Sequence, residues 1–167
     1  IICPQHLLIP HVSDLIKSSK IILGAQDCHY EEKGSFTGDS SILLLKEFGC
    51  KYVIIGHSER RENHNEVNLD VRKKIKTAIK NNIIPIVCVG ESLSLRQNKS
   101  YLNFIYKQLD ECLPKKLRQL IIAYEPIWAI GSGLTPTIND INEVKESFKK
   151  FLKRNKKIDD LKFLYGG

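Results

Sequence analysis

Two short stretches hold the residues best suited to chemistry. In "AYEPIWAIGSG" (Ala123–Gly133) a carboxylate, Glu125, ends an apolar β-branched run and directly precedes a proline. Pro126 biases Glu125 away from helical backbone geometry and sets the direction in which the chain leaves the strand. The apolar quartet Ile127, Trp128, Ala129 and Ile130 follows, then Gly131, Ser132 and Gly133. Two glycines at this spacing suit a hinge, or a backbone that approaches an anion closely. A carboxylate under an apolar cover is partly withdrawn from water, a setting in which enzymes place general bases. The competing reading is a glutamate in a surface turn beside a packing tryptophan. Its place on a loop at a strand end favours the site.

The second stretch, "IIGHSERR" (Ile54–Arg61), has the same layout: an apolar run, a glycine, then His57 and Ser58 before a charged, helix-compatible segment. A histidine at a helix N-terminus lies at the positive end of the helix dipole, which disfavours the imidazolium. A neutral imidazole can donate to a carbonyl oxygen and polarise it. A Ser58–His57 nucleophile pair is not expected, because sequence neighbours do not face each other as that chemistry requires. A third segment, "GAQDCHYEEKGSFTGDSS" (Gly24–Ser41), is too long for an ordinary strand-to-helix turn. With Phe36 between two glycines, it reads as a protruding loop with an apolar anchor and a partner surface.

What must position these groups is a repeated strand–helix pattern. Apolar runs occur at 1–3, 21–25, 52–56, 83–90, 120–124 and 161–167, most of them continuously apolar, as parallel strands covered on both faces are. Helical stripes lie between them: Leu69, Ile75, Ala78 and Ile79; Tyr101, Ile105, Gln108, Leu109 and Cys112; and Ile138, Ile141, Val144, Phe148, Phe151 and Leu152, with Thr137 as N-cap. The expectation is one domain over residues 1–167, an α/β fold with a parallel sheet. Strand starts recur every 32 residues or so, against about 31 per unit for an eight-unit barrel of about 250 residues. Polar residues at nearly every strand end, and no G-x-G-x-x-G turn, favour part of a (β/α)8 barrel over an open doubly wound sheet.

Composition removes other classes. No apolar run nears the roughly 18 residues of a membrane span. The N-terminus lacks a basic leader, and there is no methionine anywhere, so the chain reads as trimmed. Five scattered cysteines with no C-x-x-C pair argue for a reducing, cytoplasmic setting and against a disulfide framework or a zinc site. The net charge of +7 is concentrated in "KKFLKRNKK" (Lys149–Lys157), which reads as a solvated helix face and not as a nucleic-acid surface.

Taken together, "GAQDCHYEEKGSFTGD", "YVIIGHSERR", "CVGE", "AYEPIWAIGSG" followed by "TPT", and "YGG" resemble the triosephosphate isomerase family, in order and over the whole of residues 1–167. The resemblance implies a TIM barrel, here covering about strands 2 to 7. It implies interconversion of dihydroxyacetone phosphate and D-glyceraldehyde 3-phosphate through an enediolate, the isomerase step of glycolysis and gluconeogenesis. Glu125 matches the base and His57 the neutral electrophile, with Ser58 and Glu59 in support. Pro126–Gly133 (Pro126, Ile127, Trp128, Ala129, Ile130, Gly131, Ser132, Gly133) matches the closing lid, with the Gly131 N–H directed to the substrate phosphate. Thr37 and Gly38 match the tip of a loop that reaches into a second subunit, and Gln26 supports its base, so a homodimer is implied. No metal or organic cofactor is expected, nor a nucleic-acid or membrane partner. The lid ends in Ser132-Gly133-Leu134 where the family commonly has a threonine-glycine-lysine hinge. The family's lysine and asparagine precede Ile1 and its phosphate-binding serine follows Gly167, so the first and last strands are expected to be missing and the 167-residue piece alone to be weakly active or inactive. Two alternatives remain open: another phosphosugar barrel enzyme, and a truncated remnant acting as a non-catalytic interaction module.

Overall fold

A computed structural model describes residues 1–166. It contains five parallel strands, β1 (Gly24–Ala25), β2 (Tyr52–Ile55), β3 (Ile84–Val89), β4 (Lys116–Tyr124) and β5 (Lys157–Tyr165), ordered in space as in sequence. An isolated parallel bridge, Ile2 to Leu23, continues the sheet beyond β1. Seven helices connect them: α1 (Ile9–Ile16), α2 (Ile42–Glu47), α3 (Ser58–Asn63), α4 (Asn68–Lys80), α5 (Leu93–Gln97), α6 (Tyr101–Cys112) and α7 (Ile138–Asn155). A parallel sheet whose strand order equals chain order is what successive crossovers of one hand produce, and it is the arrangement of consecutive strands in a barrel wall.

The main core lies between the sheet and its helices. Val53, Ile55, Val87, Val89, Leu120 and Ile122 meet Val71, Ile75, Ile105, Leu109, Val144 and Phe148 there, all essentially inaccessible. A smaller cluster, Ile86, Cys88, Ile121 and Ala123, fills the opposite face, the inside of the curved wall. Alternate residues of β3 and β4 serve the two clusters, which is why both strands are continuously apolar. β5 has one neighbour and is the most exposed strand.

Several expectations change at the element ends. The run at 1–3 is reduced to the bridge at Ile2, and that at 21–25 to the two-residue β1. β4 and β5 begin four residues earlier than their apolar runs, because ladder pairing from Lys116–Lys157 onward does not require apolar side chains. The "YGG" run ends as strand at Tyr165; Gly166 donates to the Tyr124 carbonyl, and Gly167 lies outside the described residues. The α6 stripe is buried throughout. In α4 and α7, by contrast, Leu69 is 60% exposed and Ile138 77%. Both sit in the first turn of their helix, and Ile79, in the last turn of α4, is 37% exposed. Thr137 caps α7 in a reciprocal box with Asp140.

Candidate active site

Glu125 follows the last residue of β4 and His57 sits two residues beyond β2, so parallel strands bring both to one end of the sheet. Glu125 is 8% exposed, and its N–H donates to the Val89 carbonyl at 2.8 Å, extending the β3–β4 ladder by one bond. Its Oε1 lies 3.4 Å from His57 Nε2, and its Oε2 accepts from the Ser58 N–H at 3.4 Å. His57 is the N-cap of α3: its Nδ1 accepts from the Glu59 N–H at 3.3 Å. With Nδ1 taken up as an acceptor, Nε2 is the ring nitrogen placed to donate, and it faces Glu125. The Glu59 carboxylate, 3.7 Å from the same Nδ1, is largely exposed and adds little by comparison with that backbone donor.

The turn beneath His57 is braced. Gly56 takes φ of +75°, and a Cβ there would meet Val71 and Arg61 at 3.0 Å. Arg61 donates from Nε to the Gly56 carbonyl at 2.8 Å and from Nη1 to Asn68 Oδ1 at 2.7 Å. Next to it lies a buried ion network. Lys74 binds Asp27 at 2.8 and 3.0 Å and also Glu66, and Arg60 binds Asp27 at 2.8 Å and Glu66 at 3.2 Å. It ties the root of the 26–41 loop to the helix that His57 caps. Sequence reasoning missed it, because Asp27 and Lys74 are 47 residues apart with no local pattern linking them.

Glu91 stands out in the sequence only as a polar residue at a strand end, and the structure joins it to the segment after Glu125. It is fully buried, and its Oε1 accepts from the Tyr124 hydroxyl at 3.0 Å and the Trp128 indole N–H at 2.9 Å. Burial, and then the adjacent Glu91 carboxylate, push the Tyr124 phenol up and keep it a donor. Arg96 lies over the Tyr101 ring, reaches within 4.0 Å of Glu91, and pairs with Asp140, the capping residue of α7. One guanidinium thus joins the loop after β3, whose Glu91 holds Trp128, to the helix that follows residues 126–133. Cys88 also stands against Glu125; burial, and then that carboxylate, hold its thiol well above the ordinary range, so it is a neutral neighbour and not a nucleophile.

Ile130–Gly133 are exposed, with Gly131 at φ +66° and Gly133 at φ +78°, and a Cβ on Gly131 would meet nothing within 4 Å. Gly131 is therefore not brought to Glu125 and His57 in this conformation, and the apolar quartet is turned partly to solvent. Gln26 donates to the Cys3 carbonyl at 3.1 Å, tying the loop root to the first segment, and Thr37 and Gly38 stand exposed at the far end. Gln26, His57, Glu59 and Arg60 share a cavity of about 360 Å³. Among the described residues no group of three or more acidic, cysteine or histidine side chains is placed to hold a metal ion.

A family model for triosephosphate isomerase matches residues 1–167. The chain belongs to the triosephosphate isomerase family. It is 41% identical to the triosephosphate isomerase of Clostridium tetani over all of this chain and 68% of that protein. It is 46% identical to that of Clostridium botulinum over 86% of this chain and 59% of the relative. The crystal structure of triosephosphate isomerase from Bartonella henselae superposes with a TM-score of 0.87 at 35% identity, covering 99% of this chain and 69% of that one. The chain thus spans about two thirds of the length of these relatives, and its five-stranded sheet is part of their barrel.

Proposed function

We propose that this chain carries the isomerase chemistry of its family: interconversion of dihydroxyacetone phosphate and D-glyceraldehyde 3-phosphate. The observation that carries the reading is the pairing of a buried carboxylate with the Nε2 side of an imidazole whose Nδ1 is occupied by a backbone N–H. Glu125 takes a proton from one substrate carbon and returns it to the adjacent one. His57 donates its Nε2–H to the substrate oxygens and stabilises the enediolate formed between these transfers. The lid Pro126–Gly133 closes over the substrate, breaking the Trp128–Glu91 contact, excluding water and bringing the Gly131 N–H to the phosphate. The family match favours this over a non-catalytic remnant.

Two copies assemble through the 26–41 loop in this reading. Thr37 and Gly38 stand exposed on that loop, available to a second copy. The free cysteines and the glycolytic step fit a reducing cytoplasm. Among the described residues no helix is long and apolar enough to cross a membrane.

Deuterium wash-in tests the chemistry even at a low rate. Either triose phosphate is incubated with the protein in D2O, and exchange at the transferred C–H is followed by NMR. Exchange above background that drops by roughly 10²- to 10⁴-fold in Glu125→Gln supports the assignment. Exchange equal to background, or unaffected by Glu125→Gln, overturns it.

A further inference from the structure

The buried face of α6 contains one residue that packing does not explain. Tyr101, Ile105, Leu109 and Cys112 meet the sheet, and among them Gln108 is 5% exposed. A buried amide in an apolar stripe needs partners. Its Oε1 accepts from the Gly90 N–H at 3.2 Å.

The sheet itself explains why that N–H needs a side chain. Val89 turns its carbonyl toward β4, where it accepts from the Glu125 N–H. The next N–H, that of Gly90, points to the opposite side, as alternation along a strand requires. β2 is no longer there: its pairing with β3 stops at Ile55–Val87, and the chain swings away at Gly56. The strands splay at this point to open the site, and Gln108 supplies the acceptor the sheet has lost.

Gly90 is also in direct contact with the base. A Cβ on it would lie 1.7 Å from the Glu125 carbonyl oxygen and 2.6 Å from the carbonyl carbon. The backbones of Gly90 and Glu125 are therefore pressed together, and a shift in one is a shift in the other. Gln108 and Glu125 further border one small cavity with Ser58, Cys88 and Ile127, of about 10 Å³.

We propose that Gln108 is a positioning residue for the isomerase reaction: by fixing Gly90 it holds the Glu125 backbone against the splayed end of the sheet. It touches no substrate and acts only through Gly90. This rests on the reading of Glu125 as the base.

Gln108→Met removes the acceptor at nearly constant volume, and Gln108→Glu keeps an acceptor oxygen at the same reach. For both variants and the unsubstituted protein, exchange of the Gly90 amide is read by NMR, kcat and KM are measured, and melting temperature is recorded. The expected result for Gln108→Met is Gly90 exchange faster by roughly tenfold and kcat lower by about tenfold with KM within twofold. In Gln108→Glu both return toward the unsubstituted values. A variant that simply unfolds would accelerate all amides, and the glutamate variant then decides alone. Unchanged Gly90 exchange in Gln108→Met overturns the contact, and faster exchange with unchanged kcat overturns its role in positioning. Glu125→Gln runs alongside: if it leaves turnover unaltered the assignment of the base has failed, and positioning falls with it, while the exchange arm still reports the hydrogen bond.

Discussion

Gly90→Ala isolates how closely the base depends on its backbone neighbour. The glycine does not have a positive φ, so alanine brings no backbone strain of its own and only its methyl is felt. That methyl would stand 1.7 Å from the Glu125 carbonyl oxygen, whereas real contacts essentially never fall under 3.0 Å. The two backbones must therefore separate by more than 1 Å, and the obstacle is backbone that cannot rotate away as a side chain could. The bond from the Glu125 N–H to Val89, at 2.8 Å, lies directly beside the clash and lengthens or breaks. Misplacing a reacting group by about 1 Å costs roughly 10²-fold in rate, or about 2.7 kcal/mol of transition-state stabilisation. The substitution should lower kcat far more than it raises KM, since in the proposed mechanism Glu125 moves protons and does not hold the phosphate. The assay is steady-state turnover of glyceraldehyde 3-phosphate, with circular dichroism to confirm that the variant is folded. A folded Gly90→Ala protein with kcat within threefold of the unsubstituted protein would show that the base does not depend on this backbone contact.

Other consequences follow from the contacts around the site. Lys74→Met leaves Asp27 and Glu66 sharing one cation, Arg60, and should destabilise the fold by about 3 kcal/mol, read by urea denaturation. Trp128→Phe removes one of two donors to the buried Glu91 oxygen, so the Ile127 amide, which donates to the Glu91 carbonyl, should exchange faster by roughly tenfold; unchanged exchange would show that the indole does not hold the segment after Glu125. The Asp140 carboxyl is lowered by its bonds to the Thr137 hydroxyl and N–H, and next by Arg96. A lowered acid contributes stability that is present above its unfolded value, about 3.9, and is lost as pH falls through the folded value below it. The stability difference between the protein and Asp140→Asn should thus be constant near neutrality and close only below about pH 4, as followed by thermal melts across pH.

The alternation of strand and helix is written in the residues alone, because a parallel strand buried on two faces must be apolar throughout and the helices between must be apolar on one. So is the placing of Glu125 and His57 at the same end of the sheet: both follow parallel strands, and parallel strands end together. The cap at Thr137 was legible for the same local reason, since its partner Asp140 is three residues away. Local pattern overreached at the ends of α4 and the start of α7, where Leu69, Ile79 and Ile138 keep the helical period but stand exposed. The distances that make a site come from the packed fold and from nothing shorter in range. The 3.4 Å between His57 and Glu125, the ion network from Asp27 to Lys74, the grip of Glu91 on Trp128 and the support of Gly90 by Gln108 all join residues remote in sequence. Such contacts leave no periodic trace, because each is set by how far two strands splay and how a helix settles on them, and those quantities belong to the packed sheet as a whole.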